Sequence, residues 1–291
     1  MRKYLTLLLL LVSCTSSTPS KTRLLLDWLP NPNHIPLYYG LKENIFKKHG
    51  IDLEIIKATE VTNGITYLLT DQVDLSLTYH TSFAKAKNAG MPIEITGKLI
   101  DKPLNGLIYF QNGSIKTPQD LSGKRFGYAV DSATSVLDRT LENNNIKADS
   151  LHNCHFDLIG MLLTHKVDVI YGGFYTIEGA QLKHLGYPAG HFTLDELGAP
   201  KYYELIIVSK EGNSNPLFQK ALQEAIDQAS KNPDHAFAAY ASYHLDKSDV
   251  TLAWEKSTWL KSLPLFAKDQ TIDPSITDEL IAWLQLGTVQ K

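Results

Sequence analysis

Segments with strand-like and helix-like patterns alternate along the chain, and the alternation begins a second time after Pro103. The first series predicts strands at 24–26, 51–56, 74–79 and 93–100, with helices at 35–49, 62–69 and 82–89. The second predicts strands at 107–110, 125–130, 167–171 and 203–209, with helices at 132–143, 158–165 and 177–185; helices at 216–230 and 233–244 and a helical C-terminal region follow. This order is typical of α/β proteins, in which helices cover a mostly parallel sheet.

The restart indicates two α/β lobes rather than one large sheet. Two long strands, at 104–110 and 203–209, are predicted to cross between the lobes. Lobe one is predicted to combine residues 22–105 with 207–291, and lobe two, residues 106–206, is inserted between these two parts. The predicted fold class is therefore α/β, with two mixed sheets, flanking helices and a hinged cleft. Because α/β proteins bind ligands outside the carboxyl ends of their strands, we expect a ligand in that cleft.

Composition and charge exclude several classes of protein. Hydrophobic residues make up 43% of the 291 residues, which is too many for a disordered or collagen-like chain. The 28 basic residues nearly balance the 31 acidic ones. No nucleic-acid partner is expected, because nucleic-acid-binding domains usually have a basic excess. Two cysteines cannot form a disulfide framework.

The N-terminal segment has the pattern of a targeting signal. Arg2 and Lys3 precede an apolar run at 5–12, which is too short to span a bilayer because a spanning helix takes about 20 residues. Cys14 and the residues before it resemble the lipobox of bacterial lipoproteins, which implies a signal peptide at 1–13, lipidation of Cys14, a membrane anchor and a tether at 14–21. The alternative is an ordinary secretory signal with a chance cysteine. After lipoprotein processing only Cys154 could pair, so no intrachain disulfide is expected.

Motifs for catalysis are missing from the sequence. It has no nucleophile elbow, no phosphate-binding P-loop and no H-E-x-x-H zinc motif. The run from His152 to His155 includes Cys154, but strand alternation would place these side chains on two faces. We therefore favour a surface loop with one buried thiol over a metal site there. We expect no catalytic residue, no resident cofactor and no metal.

Aromatic and polar residues follow several predicted strands, where the cleft would form. The candidate ligand-binding residues are Asp27, Trp28, Asn31, His34, Tyr39, Tyr79, His80, Asp131, Ser132, Tyr171, Tyr175, Glu178 and Glu204. Prolines fix the loop after the first strand, where Trp28 presents a flat apolar face with one hydrogen-bond donor. Gly172 and Gly173 permit a sharp turn or a close approach to a ligand. The shared position at strand ends supports a site more than any single residue does.

Several of these residues also have a purely structural interpretation. Trp28 fits an ordinary core position, and Tyr175 fits an exposed loop. His34 is compatible with capping the helix that follows it. Glu178 is compatible with the preference of helix N-termini for acidic side chains.

A ligand that suits these residues is flat, largely uncharged and rich in hydrogen-bonding groups. An aromatic stack contributes about 0.5–1.5 kcal/mol beyond burial, whereas micromolar binding takes about 8 kcal/mol in total. Polar contacts in a closed cleft must therefore add to the stacking. Asp27 and Glu178 would accept hydrogen bonds from an amino group on the ring and would repel a sulfonate or phosphate.

Three segments resemble known binding proteins. Residues 26–31 with His34, Gly40 and the segment 46–53 resemble the opening of the NMT1/THI5-like family, the thiamine-pyrimidine family. Residues 121–128 resemble the entry to lobe two in group-II substrate-binding proteins. Residues 198–205 resemble a segment of bacterial binding proteins for formylaminopyrimidine, a thiamine precursor. The likeness extends over most of residues 23–245.

This resemblance implies a type II periplasmic-binding-protein-like fold whose two lobes close on a small heteroaromatic ligand. Delivery to an ABC permease with a cytoplasmic ATPase is implied as well, and with it a location in the cell envelope, facing the periplasm or the exterior. Trp28 would stack on the heterocycle, and Asp27, Tyr175 and Glu178 would be the next contacts. Related proteins bind riboflavin or other flat heterocycles, which is the alternative ligand class.

The eukaryotic branch of the resembled family is a pyrimidine synthase that consumes its own histidine and carries a cysteine-rich iron motif. This sequence has no cysteine cluster. An ungapped alignment places Ser82 at the position of the consumed histidine and Thr78 at that of the cofactor lysine, with His80 two residues away. We therefore expect a binding protein and not an enzyme.

Overall fold

The structure is a computed structural model that describes residues 21–58, 63–129, 134–155 and 157–285. The predicted signal peptide, Cys14 and all of the predicted tether except Lys21 lie outside these residues, as do the candidate site residues Asp131 and Ser132. Within the described ranges, no helix combines the length and the apolar character that crossing a bilayer requires.

Two five-stranded mixed sheets organise the described part of the chain. The strands are β1 (Thr22–Leu25), β2 (Leu53–Ile56), β3 (Leu75–Tyr79), β4 (Ile93–Ile100), β5 (Asn105–Phe110), β6 (Arg125–Tyr128), β7 (Ser150–Asn153), β8 (Val169–Phe174), β9 (Ala189–Thr193) and β10 (Leu205–Lys210). Their order is β2-β1-β3-β10-β4 in the first sheet and β7-β6-β8-β5-β9 in the second. In each sheet three neighbouring strands pair in parallel, and a fourth strand, β10 or β5, pairs antiparallel both with one of them and with the outermost fifth strand, β4 or β9. The predicted α/β class with two mixed sheets is confirmed.

Helices cover both sheets. They are α1 (Ile35–Lys42), α2 (Ile45–Lys48), α3 (Gly64–Leu69), α4 (His80–Asn88), α5 (Thr134–Asn143), α6 (Leu158–Leu163), α7 (Glu178–His184), α8 (Pro216–Lys231), α9 (Pro233–Ala241), α10 (Asp249–Ser262) and α11 (Pro274–Gln285). The single helix predicted over 35–49 was wrong, because Asn44 adopts a left-handed conformation (φ 56°) that ends one helix and starts the next. Two short strands, β7 and β9, were not predicted.

The predicted crossing strands also differ from the structure. β10 lies wholly in the first sheet, between β3 and β4, and β5 lies wholly in the second, between β8 and β9. Both strands are thus paired on their two sides, and residues 205–208 are fully buried, as expected for a central strand with covered faces. The chain passes between the sheets at 101–104 and 194–204. The lobe limits given above remain a prediction.

The C-terminal helix α11 contacts both halves of the molecule. Its Ile276 packs in the apolar cluster around Ile206 of the first sheet. One turn later, Leu280 packs in the cluster around Leu107 of the second sheet. The carbonyl of Trp283 accepts a hydrogen bond from Arg139 Nε on α5 at 3.1 Å. This helix therefore links the two sheets beside the crossing segments.

Candidate functional site

A buried polar network shapes the loop that follows β1. The Asn31 N–H donates to His34 Nδ1 at 3.2 Å, so Nδ1 is the acceptor nitrogen of the imidazole. The other nitrogen, Nε2, then carries a proton and donates to Asp27 Oδ1 at 2.9 Å. Both side chains are buried, with exposures of 0% for His34 and 1% for Asp27. The network fixes the loop and turns one carboxylate oxygen of Asp27 toward the imidazole.

Trp28, in the middle of this loop, spans the gap between the two halves of the molecule. It leaves the first sheet after β1 and packs against the apolar cluster of the second sheet that includes Leu158 and Ile170. Its neighbours Leu29, Pro30 and Asn31 line a cavity of about 480 Å³, as does Trp28 itself. The loop therefore supplies one wall of the cleft between the sheets.

The other walls of this cavity come from both halves of the chain. The remaining lining residues are Tyr79 at the end of β3, Asp157 to Gly160 and Leu163 at α6, Gly172 to Phe174 at the end of β8, Ile177, Glu178 and Gln181 at α7, and Trp254 and Glu255 on α10. The strands β3 and β8 both contribute their carboxyl ends, where α/β folds bind ligands. The predicted position of the site, in a cleft at strand ends, agrees with this cavity.

Two glycines bring the end of β8 close to its surroundings. Gly172 has a φ of +91°, which favours glycine strongly. A Cβ on Gly173 would lie 2.9 Å from the Glu178 carboxylate. That carboxylate accepts a hydrogen bond from the Phe174 N–H, and its burial raises its pKa from 4.5 to about 7. The strand end, the glycines and the first residue of α7 therefore form one compact unit.

Acidic groups also surround Tyr79. Burial is the main cause that raises the pKa of its phenol well above the ordinary value, and the nearby carboxylates of Asp27, Glu204 and Glu178 raise it further. The phenol therefore keeps its proton and remains a hydrogen-bond donor as well as an acceptor.

Several candidate residues do not line the cavity. Tyr39 is buried in the core of the first sheet, edge-on to His235. His80 is fully buried, with one ring nitrogen 2.8 Å from Thr277 Oγ1, and accepts from the Tyr203 N–H; burial lowers its pKa to about 4. These two residues support the fold around the site.

Three further candidates are also absent from the lining of the cavity. Tyr171 is buried in the core of the second sheet. Tyr175 stacks on His191, with ring centroids 4.3 Å apart and planes nearly parallel. Glu204 is buried at the crossing segments, where its Oε2 accepts from the backbone of Leu104 and Asn105. A role for Glu204 at the junction of the sheets explains its position without a ligand.

The α10 side of the cavity was not predicted from the sequence. Trp254 and Glu255 are more than 200 residues from Trp28 along the chain, and no motif connected them with it. The one local pattern in this region marks the start of α10 and not a site: Ser248 caps the helix, and its Oγ accepts a hydrogen bond from the Thr251 N–H at 3.2 Å. Lys247, directly before this cap, donates to Glu255 and to the Pro30 carbonyl and so joins α10 to the Trp28 loop.

Among the residues that the structure describes, no three His, Cys, Asp or Glu side chains are grouped so as to hold a metal ion. Of the predicted loop run, His152 lies at the end of β7 with its Nε2 3.0 Å from Ser150 Oγ. Cys154 is buried, and burial raises its pKa. What the arrangement offers a ligand is therefore aromatic surface and hydrogen-bonding groups.

Comparisons with known proteins give related proteins of two kinds. A Haemophilus influenzae protein whose provisional name places it in thiamine biosynthesis is 27% identical over 284 residues, covering 95% of this chain and 90% of that protein. The formylaminopyrimidine-binding protein of Halalkalibacterium halodurans is 26% identical over 298 residues, with the same two coverages. A 4-amino-5-hydroxymethyl-2-methylpyrimidine phosphate synthase of Legionella pneumophila is 30% identical over 188 residues, covering 62% of this chain and 58% of the enzyme.

Solved structures and a family model complete the comparison. The periplasmic aliphatic sulphonate binding protein of Escherichia coli matches with a TM-score of 0.70 at 15% identity, covering 92% of this chain and 87% of that one. At this identity the match shows the fold, and it confirms the predicted two-lobe periplasmic-binding-protein-like fold. The family model described as NMT1/THI5 like matches residues 31–236, which include both crossing segments and most of the cavity wall from the second sheet. The chain therefore belongs to the NMT1/THI5-like family.

Proposed function

We propose that this chain is the solute-binding component of an ABC importer and that it captures a thiamine-precursor pyrimidine of the formylaminopyrimidine type. The observation that carries the proposal is the cavity that Trp28 and Glu178 share, because it offers one aromatic face and one carboxylate to a small ring. The lobes, 22–105 with 207–291 and 106–206, close on the ligand by a hinge motion. The chain does no chemistry on it.

The size and charge of the cavity support this ligand class. Its volume, about 480 Å³, falls within the range of about 300–1,000 Å³ that is usual for small-molecule sites. Three acidic residues, Asp157, Glu178 and Glu255, are among its lining residues, and none of the lining residues that the structure describes is basic. Such a lining favours a ligand with N–H donors and opposes a sulfonate, which would be repelled in a site of low dielectric constant.

Calorimetry with three ligands tests the proposal. Formylaminopyrimidine should bind at one molecule per chain, riboflavin more weakly, and an alkanesulfonate not at all. Tighter binding of riboflavin would transfer the role to the alternative ligand class, and binding of the alkanesulfonate would overturn the charge argument. Native mass spectrometry of the protein purified from its own cells would then identify the ligand that it carries.

The synthase relatives support a second candidate, an enzyme that makes the pyrimidine. The observation in its favour is the 30% identity over 188 residues to the Legionella pneumophila synthase. The residues themselves argue against it, because Ser82 on α4 and Thr78 in β3 stand at the positions where the ungapped alignment places the synthase's histidine and lysine. Incubation with iron and pyridoxal phosphate distinguishes the two functions, because histidine loss or a pyrimidine product would require the enzyme.

A lipid anchor would hold the importer component at the cell envelope, next to its permease and the cytoplasmic ATPase. Mass spectrometry of the membrane fraction should find a mature N-terminus at Cys14 that carries acyl groups. Cys14→Ser should move the protein into the soluble fraction. If the native N-terminus lies elsewhere, the ordinary secretory signal is the correct interpretation.

A further inference from the structure

The α10 side of the cavity has a carboxylate that the proposed function does not yet use. Glu255 lines the cavity although only 2% of its surface is exposed. Its Oε1 accepts from Lys247 Nζ and, at 3.5 Å, from the Tyr240 hydroxyl. Its Oε2 has no hydrogen-bond partner within the described part of the chain. A buried carboxylate oxygen without a partner is costly, so a donor supplied by a ligand would stabilise it.

The neighbouring cation cannot serve a ligand itself. Lys247 Nζ donates to the Pro30 carbonyl at 2.8 Å, to the Tyr240 hydroxyl at 2.7 Å and to Glu255. An ammonium group has three N–H donors, and these three acceptors use them all. Within this ion pair, the atom left to bind a ligand is therefore the acceptor oxygen Oε2 of Glu255.

The same contacts place this acceptor accurately relative to the aromatic wall. The Lys247 bond to the Pro30 carbonyl ties the start of α10 to the loop that carries Trp28. Trp254, next to Glu255 in sequence, also lines the cavity and packs on the core of the first sheet. An indole and a half-satisfied carboxylate thus stand together on one helix, facing the cavity that Trp28 and Glu178 line from other directions.

We propose that Trp254 and Glu255 form a second subsite, which binds a substituent of the ring that carries an N–H donor. This inference rests on the proposed function, since it assigns the ring to Trp28 and Glu178 and the donor-bearing arm to α10. The ligand class is thereby narrowed to heteroaromatic rings with an amide or amine arm. Rings whose arm is apolar leave Oε2 of Glu255 unpaired and bind less tightly.

Two pyrimidines that differ only in the arm test the subsite. Both have the 4-amino-2-methyl ring; one has a formamidomethyl group at ring position 5 and the other a methyl group. Calorimetry on the unmodified protein should show a preference of about tenfold or more for the N–H-bearing arm, which corresponds to about 1.4 kcal/mol. Glu255→Gln should reduce that preference to about twofold, because the single amide oxygen is taken by Lys247 and the amide N–H₂ then faces the ligand donor.

Two further variants separate recognition from folding. Glu255→Gln leaves Lys247 buried without its counter-charge, so the double variant K247M/E255Q, which removes both charges, is measured beside it. It too should lose the preference. Glu54→Gln is the matched control, because it makes the same substitution at a side chain that is 45% exposed and lies outside the lining of the cavity. It should keep the preference, and thermal unfolding should show all three variants folded.

The outcomes distinguish the two proposals. Equal binding of both pyrimidines by the unmodified protein would overturn the subsite and leave the pyrimidine-binding function intact. Equal weakening of both by E255Q, or retention of the preference in the folded double variant, would also overturn it and would make Glu255 a structural partner of Lys247. If the unmodified protein binds neither pyrimidine, the proposed function fails and the subsite fails with it.

Discussion

Glu204 stands where the two segments that cross between the sheets meet, and it leads to a prediction that needs no ligand. Its Oε2 accepts from the N–H groups of Leu104 at 2.6 Å and Asn105 at 2.8 Å, and from the Tyr202 hydroxyl at 3.3 Å. Only 2% of the residue is exposed. Burial outweighs these hydrogen bonds and raises its pKa from 4.5 to about 7.

The direction of this pKa change determines how stability depends on pH. The folded chain binds the proton of Glu204 more tightly than the unfolded chain does. The stability that this proton contributes is therefore fully present below about pH 4.5, and it is lost as the pH rises through about 7. The difference between the two pKa values corresponds to about 3 kcal/mol.

Glu204→Gln removes the titration and keeps an acceptor oxygen. Urea unfolding of the variant and the unmodified protein at about pH 4.5 and about pH 8 gives four free energies of unfolding. At each pH, the free energy of unfolding of the unmodified protein is subtracted from that of the variant. This difference should be about 3 kcal/mol larger at about pH 8 than at about pH 4.5, because only the unmodified protein loses the contribution of the Glu204 proton. Glu178, whose pKa is also raised to about 7, titrates in both proteins and cancels in this comparison.

An exposed carboxylate provides the control for this measurement. Glu54, whose side chain is 45% exposed beside Lys21, is replaced by Gln in the same way. The difference in the free energy of unfolding between Glu54→Gln and the unmodified protein should change by no more than about 0.5 kcal/mol from about pH 4.5 to about pH 8. If the change for Glu204→Gln stays below about 1 kcal/mol, the carboxyl group is not held protonated at the crossing segments, and the reasoning from burial is refuted.

The remaining predictions concern the cleft. Trp28→Ala should weaken pyrimidine binding at least about tenfold in calorimetry. Tyr187→Ala, which removes a half-exposed ring in the loop between α7 and β9, should leave binding unchanged. If Trp28→Ala binds the pyrimidine as tightly as the unmodified protein does, the indole is not part of the site. His34→Ala removes the imidazole donor from the buried Asp27 carboxylate and should lower the free energy of unfolding by about 3 kcal/mol in urea unfolding. A decrease below about 1 kcal/mol would show that the pair does not stabilise the loop. Lys247→Met should lower the unfolding free energy by about 3–5 kcal/mol, and an unchanged value would show that the ion pair is not buried in solution.

Most of the fold could be predicted because its signals are local. Alternating apolar runs, prolines at the starts of α8 and α9 and glycines after helices mark elements within a few residues of where they occur. β7 and β9 were missed because they lie at the edges of the second sheet and lack a buried apolar run. The positions of β5 and β10 were misjudged because pairing between distant strands leaves no trace in a single local pattern.

The lining of the candidate site could be predicted only where it follows strands. Trp28, Asn31, Tyr79 and Glu178 were inferred from strand ends, and they line the cavity. The remaining candidates that lie within the described ranges are absent from its lining. Among these, the proximity of His80 to a strand end was misleading, because its ring points into the core toward Thr277.

Polar contacts, rather than a core of its own, hold the Trp28 loop in its conformation. From inside, His34 bridges the Asn31 N–H and the Asp27 carboxylate; from outside, Lys247 holds the Pro30 carbonyl. A loop held at both ends in this way has lost its conformational entropy before a ligand arrives, so binding need not supply that cost. Under the proposed function, the binding free energy then depends mainly on closing the second sheet onto an indole that is already in position. The crossing segments and α11 connect the two sheets, so substitutions there should change how easily the sheets close. Such substitutions should therefore alter ligand affinity although these segments do not contact the ligand.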